Sequence, residues 1–117
     1  MEITTRQQDN VTVVSVSGSI DALTYENLLR ALTDQVHAGA HSLVADLSGV
    51  DYTSSAGLRA LLSAQKEIRQ EGGDLRLAGV QPNVLKVLKL SGFTSIIKIY
   101  DDTPAAVASF GPATSRA

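Results

Sequence analysis

The sequence predicts an α/β domain: a mixed sheet of about five strands that starts with an N-terminal hairpin and carries about four helices. Two observations lead to this reading. Short apolar runs alternate with longer stretches whose apolar residues recur every three or four positions, the periods of strands and helices respectively. Strand-like runs after the first pair are separated by enough chain for the crossover that parallel neighbours need, whereas the first pair is joined by only a short polar link.

Glu2 to Arg6 and Val11 to Ser17 are extended segments, the second rich in Val, and Gln7-Gln8-Asp9-Asn10 between them is a polar turn of hairpin length. Gly18-Ser19-Ile20-Asp21 leads into a helix whose apolar side is Tyr25, Leu28, Leu29, Leu32 and Val36, with Gly39 placed to stop it. Leu43-Val44-Ala45-Asp46-Leu47 is a short, nearly continuous apolar strand followed by a polar turn. A second helix after Ser55 presents Leu58, Leu61, Leu62 and Ile68 on one side and runs to Gly72-Gly73. Asp74 to Ala78 is a strand, and Pro82 stands near the first position of a third helix containing Val84, Leu85, Val87, Leu88 and Leu90, closed by Gly92. Ile96 to Tyr100 is the last strand, and Thr103-Pro104 has the capping chemistry to begin a short helix through Phe110. The expected domain covers residues 1–110, with 111–117 as a loose tail.

Composition narrows the function. In 117 residues, 10 Lys and Arg face 12 Asp and Glu, so no long block of either sign suggests nucleic acid or an anionic membrane surface as partner. The absence of cysteine excludes disulfides and thiol chemistry, and a 4% aromatic content weakens any reading based on base or sugar stacking. Met1-Glu2-Ile3-Thr4 lacks the basic start and apolar stretch of a signal peptide, and no run has the length of a membrane span, so a cytoplasmic protein with no direct membrane insertion is expected. His37 and His41 flank Gly39 without carboxylates in helical register, a poor metal site. The glycines form neither a dinucleotide fingerprint nor a P-loop, and no nucleophile elbow surrounds Ser55, so the residues offer no enzyme constellation and imply no cofactor.

The most informative stretch is Val44 to Leu62, where Ser54-Ser55-Ala56-Gly57-Leu58 opens the second helix. A hydroxyl there meets backbone N–H groups without intrahelical partners and the positive end of the helix dipole, so a phosphate on it would be stabilised locally. The competing role is simple helix capping, for which serine is among the preferred residues.

These residues resemble the STAS family, and within it the small bacterial anti-sigma factor antagonists. Ala45-Asp46-Leu47-Ser48-Gly49-Val50 followed by Tyr52-Thr53-Ser54-Ser55-Ala56-Gly57-Leu58 is similar to the family's strand-end aspartate, loop and phosphoacceptor serine before Gly-Leu. Ser17-Gly18-Ser19-Ile20-Asp21 and Leu88-Lys89-Leu90-Ser91-Gly92-Phe93 resemble its turn before the first helix and its late Gly-aromatic segment. The resemblance implies a phosphorylation-switched binding module rather than an enzyme. Its partners would be an anti-sigma factor serine kinase, which binds the unphosphorylated form and so releases sigma, and a metal-dependent serine phosphatase that reverses the modification. Carried through Gly57-Leu58, the acceptor is Ser55, with Thr53 and Ser54 its nearest rivals. Asp21 and Asp46 match acidic positions close to the site, and each is equally readable as an ordinary turn or strand-end residue. Ser54 and Ala56 replace an aspartate and a second hydroxyl that are frequent in the family, and Arg59 stands where glycine is frequent. The alternative function is an accessory subunit of a membrane transport complex, such as a partner of a lipid transporter ATPase, with Ser55 structural. Leu85, Leu88 and Phe93 are expected in the core, and Lys66, Glu67, Arg69, Lys86 and Lys89 on solvated helix sides.

Overall fold

The structure, a computed structural model, describes residues 1–111, so all but Gly111 of the expected tail lies outside the described residues. Strand β1 (Glu2–Gln8) pairs antiparallel with β2 (Val11–Ile20) up to Gln8 opposite Val11. The turn is therefore Asp9-Asn10 alone, and Gln7 and Gln8 belong to the strand rather than to the expected four-residue turn. Both turn residues have positive φ, 51° and 68°, the backbone of the two-residue hairpin turn whose twist matches its strands and which Asp and Asn tolerate.

Then follow α1 (Tyr25–His37), β3 (Ser42–Thr53), α2 (Ser55–Gln70), β4 (Asp74–Ala78), α3 (Pro82–Leu90), a 3₁₀ turn (Phe93–Ser95), β5 (Ile99–Tyr100) and α4 (Thr103–Ala108). The sheet order is β1-β2-β3-β4-β5, with every pair after the first parallel. Right-handed crossovers between strands laid down in sequence order put α1, α2 and α3 on the same face. There Leu28, Leu32, Leu61, Ile68, Val84 and Leu88 close over Val14, Val16, Leu43, Ala45, Leu75 and Leu77. The opposite face is partly covered by α4, whose Ala106 and Val107 sit with Val11, Val13, Val44 and Ala78. Strand β3 is buried on both faces at its start, which is why its first residues read as a continuous apolar run. Leu88 and Phe93 are core as expected, whereas Leu85 is half-buried.

Four further boundaries differ from the sequence expectation. Strand β3 does not end near Asp46 but continues through the supposed polar turn, because β2 also continues and pairs with it at Ser17/Gly49, Ser19/Tyr52 and Ile20/Thr53 across two register shifts. Beyond Asp46, the last residue paired with β4, this extension has lost one neighbour, so Ser48, Gly49, Asp51 and Tyr52 are exposed and polar side chains are tolerated there. The third difference is β5, which holds only Ile99–Tyr100, because Gln65 of α2 stands in for the first residues of the expected strand. Its Oε1 accepts from the Leu75 N–H at 2.9 Å, while its Nε2 donates to the Ile96 carbonyl at 3.3 Å and to Asp74 Oδ1 at 3.0 Å. The next β4 donor, Leu77 N–H, already finds the Lys98 carbonyl at 2.9 Å. Finally, α4 is capped by Asp102 rather than Thr103, with Asp102 Oδ1 accepting from Ala105 N–H at 2.9 Å, and Phe110 lies past its end.

Gln65 is 2% exposed, so replacing it by leucine leaves a buried N–H without an acceptor. Gln65→Leu should lower the unfolding free energy by about 1–3 kcal/mol, seen as an earlier denaturant midpoint. An unchanged midpoint would show that β4 does not depend on this amide.

Candidate functional site

The site lies where β2 and β3 end side by side and α2 begins. Ile20 and Thr53 are the last paired residues, and the next amide, Ser54 N–H, donates to the Ile20 carbonyl at 2.8 Å. Ser54 itself is extended (φ −87°, ψ 174°) and caps α2, its Oγ accepting from Gly57 N–H at 3.3 Å and its carbonyl from Leu58 N–H at 3.2 Å. The capping role weighed for Ser55 is therefore filled by its neighbour. Ser55 is the first residue of α2, is exposed, and its hydroxyl makes no hydrogen bond among the described residues.

Thr53 is buried, with its hydroxyl 3.2 Å from the Ser54 carbonyl. Ala56 is half-buried, and Gly57 and Leu58 are buried against the core. A Cβ on Gly57 would lie 2.6 Å from Ile20 Cγ2 and would also run into the Thr53 hydroxyl. Only glycine lets the first turn of α2 approach the end of β2 this closely.

Asp21 follows Ile20 and organises the entry to α1. Its Oδ1 accepts from Leu23 N–H at 2.9 Å and Thr24 N–H at 3.1 Å, and the Thr24 hydroxyl lies 3.1 Å from the same oxygen and 2.8 Å from the Ser19 carbonyl. The Leu23 N–H is the main reason the Asp21 carboxyl is held below its ordinary range; partial desolvation opposes it, and Thr24 adds to it.

The junction thus brings together Asp21, Thr53, Ser54, Ser55, Ala56, Gly57 and Leu58, but not Asp46. Asp46 is paired with Ser15, and the five steps of β2 from Ser15 to Ile20 place it roughly 16 Å up the strand. There its Oδ1 accepts from Ser48 N–H at 3.0 Å, beside a shallow depression lined by Glu2, Thr4, Ser15 and Ser17. The family resemblance matches Asp46 to a position close to the acceptor, whereas the long β3 carries it up the sheet.

Sequence reasoning passed over Asp51 and Asn83. Ser19 Oγ donates to Asp51 Oδ1 at 3.1 Å and Asn83 Nδ2 to the Asp51 carbonyl at 2.7 Å, which ties the start of α3 to the end of β3. Leu23 (89% exposed) and Tyr52 (53% exposed) were also missed, and they put apolar surface on the segments leading to the junction. An unaccompanied Leu in a polar turn was the available signal. His37 and His41 make separate contacts: His37 Nε2 pairs with Glu67 Oε1 at 2.6 Å between α1 and α2, and the His41 carbonyl accepts from Asp74 N–H at 2.9 Å.

Comparison with known proteins gives the family and the fold. The family model described as STAS domain matches residues 2–106. The chain is 36% identical over 116 residues to BtrV of Bordetella bronchiseptica, which carries the provisional name anti-sigma factor antagonist; the match covers 99% of this chain and 100% of that protein. The crystal structure of an anti-sigma factor antagonist from Mycobacterium paratuberculosis superposes with a TM-score of 0.85 at 29% identity, over 92% of each chain. SpoIIAA of Bacillus has the same fold in its unphosphorylated form (TM-score 0.79, 17% identity, covering 93% of this chain and 96% of that one) and in its phosphorylated form (0.72, 16%, 93% and 99%).

Two outcomes follow from the junction geometry. Ser54→Ala should cost about 1 kcal/mol through loss of the cap, read by thermal or denaturant unfolding, and an unchanged stability would contradict the capping role. By NMR, Asp21 should titrate below the ordinary aspartate range. Because its folded pKa is the lower one, the stability it contributes is present above the unfolded pKa and is lost as pH falls through the folded one. Asp21→Asn should flatten that part of the acid-stability profile, whereas a profile identical to wild type would contradict it.

Proposed function

The chain belongs to the STAS family, and on that premise we propose that it is an anti-sigma factor antagonist. In this reading the unphosphorylated form captures an anti-sigma factor serine kinase and so frees the sigma factor, and phosphorylation of Ser55 switches it off. The kinase moves the γ-phosphoryl group of ATP to Ser55 Oγ, the hydroxyl proton leaves, and ADP departs; a metal-dependent serine phosphatase returns the hydroxyl by hydrolysis. Residues 1–110 act as one cytoplasmic binding unit and carry out no chemistry of their own. Among the described residues no helix is long and apolar enough to cross a membrane.

The observation that carries the proposal is the division of labour between two adjacent serines. Ser54 caps α2, so Ser55 is left exposed and unbonded among the described residues, at a helix start that favours negative charge. A phosphate there adds roughly −1.5 to −2 charge and three acceptor oxygens without taking any hydrogen bond from the fold. At an interface built for a neutral hydroxyl, with Asp21 and Asp51 on neighbouring segments, the same charge costs desolvation and like-charge repulsion. Binding is then lost without unfolding or rearrangement, in keeping with a fold that SpoIIAA has in both of its forms.

Incubated with its anti-sigma kinase, ATP and Mg²⁺, the wild-type protein should gain one phosphate and Ser55→Ala none, while Ser55→Ala still binds the kinase. Ser55→Asp should keep the wild-type circular dichroism spectrum and bind about tenfold more weakly or worse, a difference of ~1.4 kcal/mol or more. Phosphate on the Ala variant, or an unfolded Asp variant, would overturn the switch as drawn.

A further inference from the structure

The first two turns of α2, Ser55 to Leu62, contain a single charged residue, Arg59. It is exposed, and its guanidinium has no hydrogen-bond or ion-pair partner among the described residues. Arg59 lies four residues after Ser55 on the same helix, so the two share a face with Cβ atoms about 5–6 Å apart. Helical side chains lean toward the helix N-terminus, so Arg59 is directed back over the turn that holds Ser55. An acidic group N-terminal to a basic one at this spacing is the favoured order, because each charge also sits on the correct side of the helix dipole.

We propose that Arg59 is the intramolecular partner of the phosphate on Ser55, a guanidinium that closes over the phosphoryl oxygens once they are installed. This rests on the reading of Ser55 as the acceptor and adds a second consequence to phosphorylation. The modification places an anion on the partner-facing surface and, in the same event, withdraws from that surface the cation nearest to it on α2. Any carboxylate of a partner that meets Arg59 in the unphosphorylated state loses its counter-ion as the phosphate arrives. The pair also offsets repulsion between the phosphate and the carboxylates of Asp21, at the entry to α1, and Asp51, near the end of β3. A planar guanidinium suits this role because it can present two parallel N–H groups to two phosphoryl oxygens.

The test uses the full chain with phosphoserine installed at position 55 by genetic encoding, so that it does not depend on any natural kinase. The ³¹P resonance is titrated in three backgrounds: wild type, Arg59→Gln and Arg69→Gln, the last lying further along α2 as a charge-matched control. The phosphoserine in the wild-type background should titrate about half a unit lower than in Arg59→Gln, the size expected of an exposed ion pair. Arg69→Gln should match wild type. The ¹⁵Nε resonance of Arg59 should move on comparing serine with phosphoserine at position 55. Equal titration in wild type and Arg59→Gln, or an equal change in Arg69→Gln, would overturn the pairing and leave the identity of the acceptor untouched. If phosphate in the native cell proved to be absent from Ser55, the acceptor reading would fail while the pairing result stood. Both variants alter exposed side chains, and matching thermal unfolding curves confirm that the comparison is between folded proteins.

Discussion

The close approach of α2 to the end of β2 is the constraint on which the site depends. It exists because Gly57 has no Cβ where Ile20 and Thr53 would collide with one. With the helix seated that low, Ser54 can donate its N–H to the Ile20 carbonyl and still turn its hydroxyl onto the Gly57 N–H. The junction thus uses one serine for backbone satisfaction and leaves the next one free. A longer side chain at position 57 would push the helix outward, weaken both bonds, and remove the geometry that presents Ser55 on a fixed surface.

That surface is fixed because everything beneath it is packed. Strands β2 and β3 bury Ile20 and Thr53 under the first turn of α2, and α3 is tied to β3 through Asn83 and the Asp51 carbonyl and through Gln81 and the Ser48 carbonyl. The far end of the sheet is held by different means. Gln65 takes the place of the first part of β5, which does not form, and Arg76 bridges Asp74 at 3.0 Å and Ser109 at 2.7 Å while stacking on Phe110. The groups that hold the sheet are therefore separate from the serine proposed as the switch. A charge added at Ser55 meets solvent, helix N–H groups and Arg59, and touches none of the hydrogen bonds that hold the sheet together. Under the proposed switch, phosphorylation would change what the protein binds and leave its fold in place.

Much of this was legible in the sequence. Helical spacing located α1 and α2, Val-rich and Leu-rich runs located the central strands, and Pro82 and Gly92 bracketed α3, because these signals arise from local backbone preference and from burial of one face. The failures have a common cause in contacts between distant segments. Nothing local in Ser48 to Tyr52 favours a strand; it becomes one because β2 runs on beside it. Nothing local in Ile96 to Lys98 forbids a strand, but Gln65, some thirty residues earlier, takes the Ile96 carbonyl. At the site, the motif from Thr53 to Leu58 was readable as a unit because it is contiguous. Asp46 was drawn toward it by the family resemblance, and the extended β3 sets it at a distance along the sheet. Asp21, far away in sequence, is the acidic residue the topology does bring to the junction.

The central claim is that Ser55 carries a reversible phosphate, and the most direct measurement is intact mass with phosphopeptide mapping on protein recovered from its native cells, before and after phosphatase treatment. A single phosphate confined to Ser55, removed by the phosphatase and varying with growth or stress conditions, is the result the account predicts. A phosphate on Thr53, on Ser54 or elsewhere, or none under any condition, would contradict it and leave the free serine at the start of α2 as a constitutive part of a binding surface.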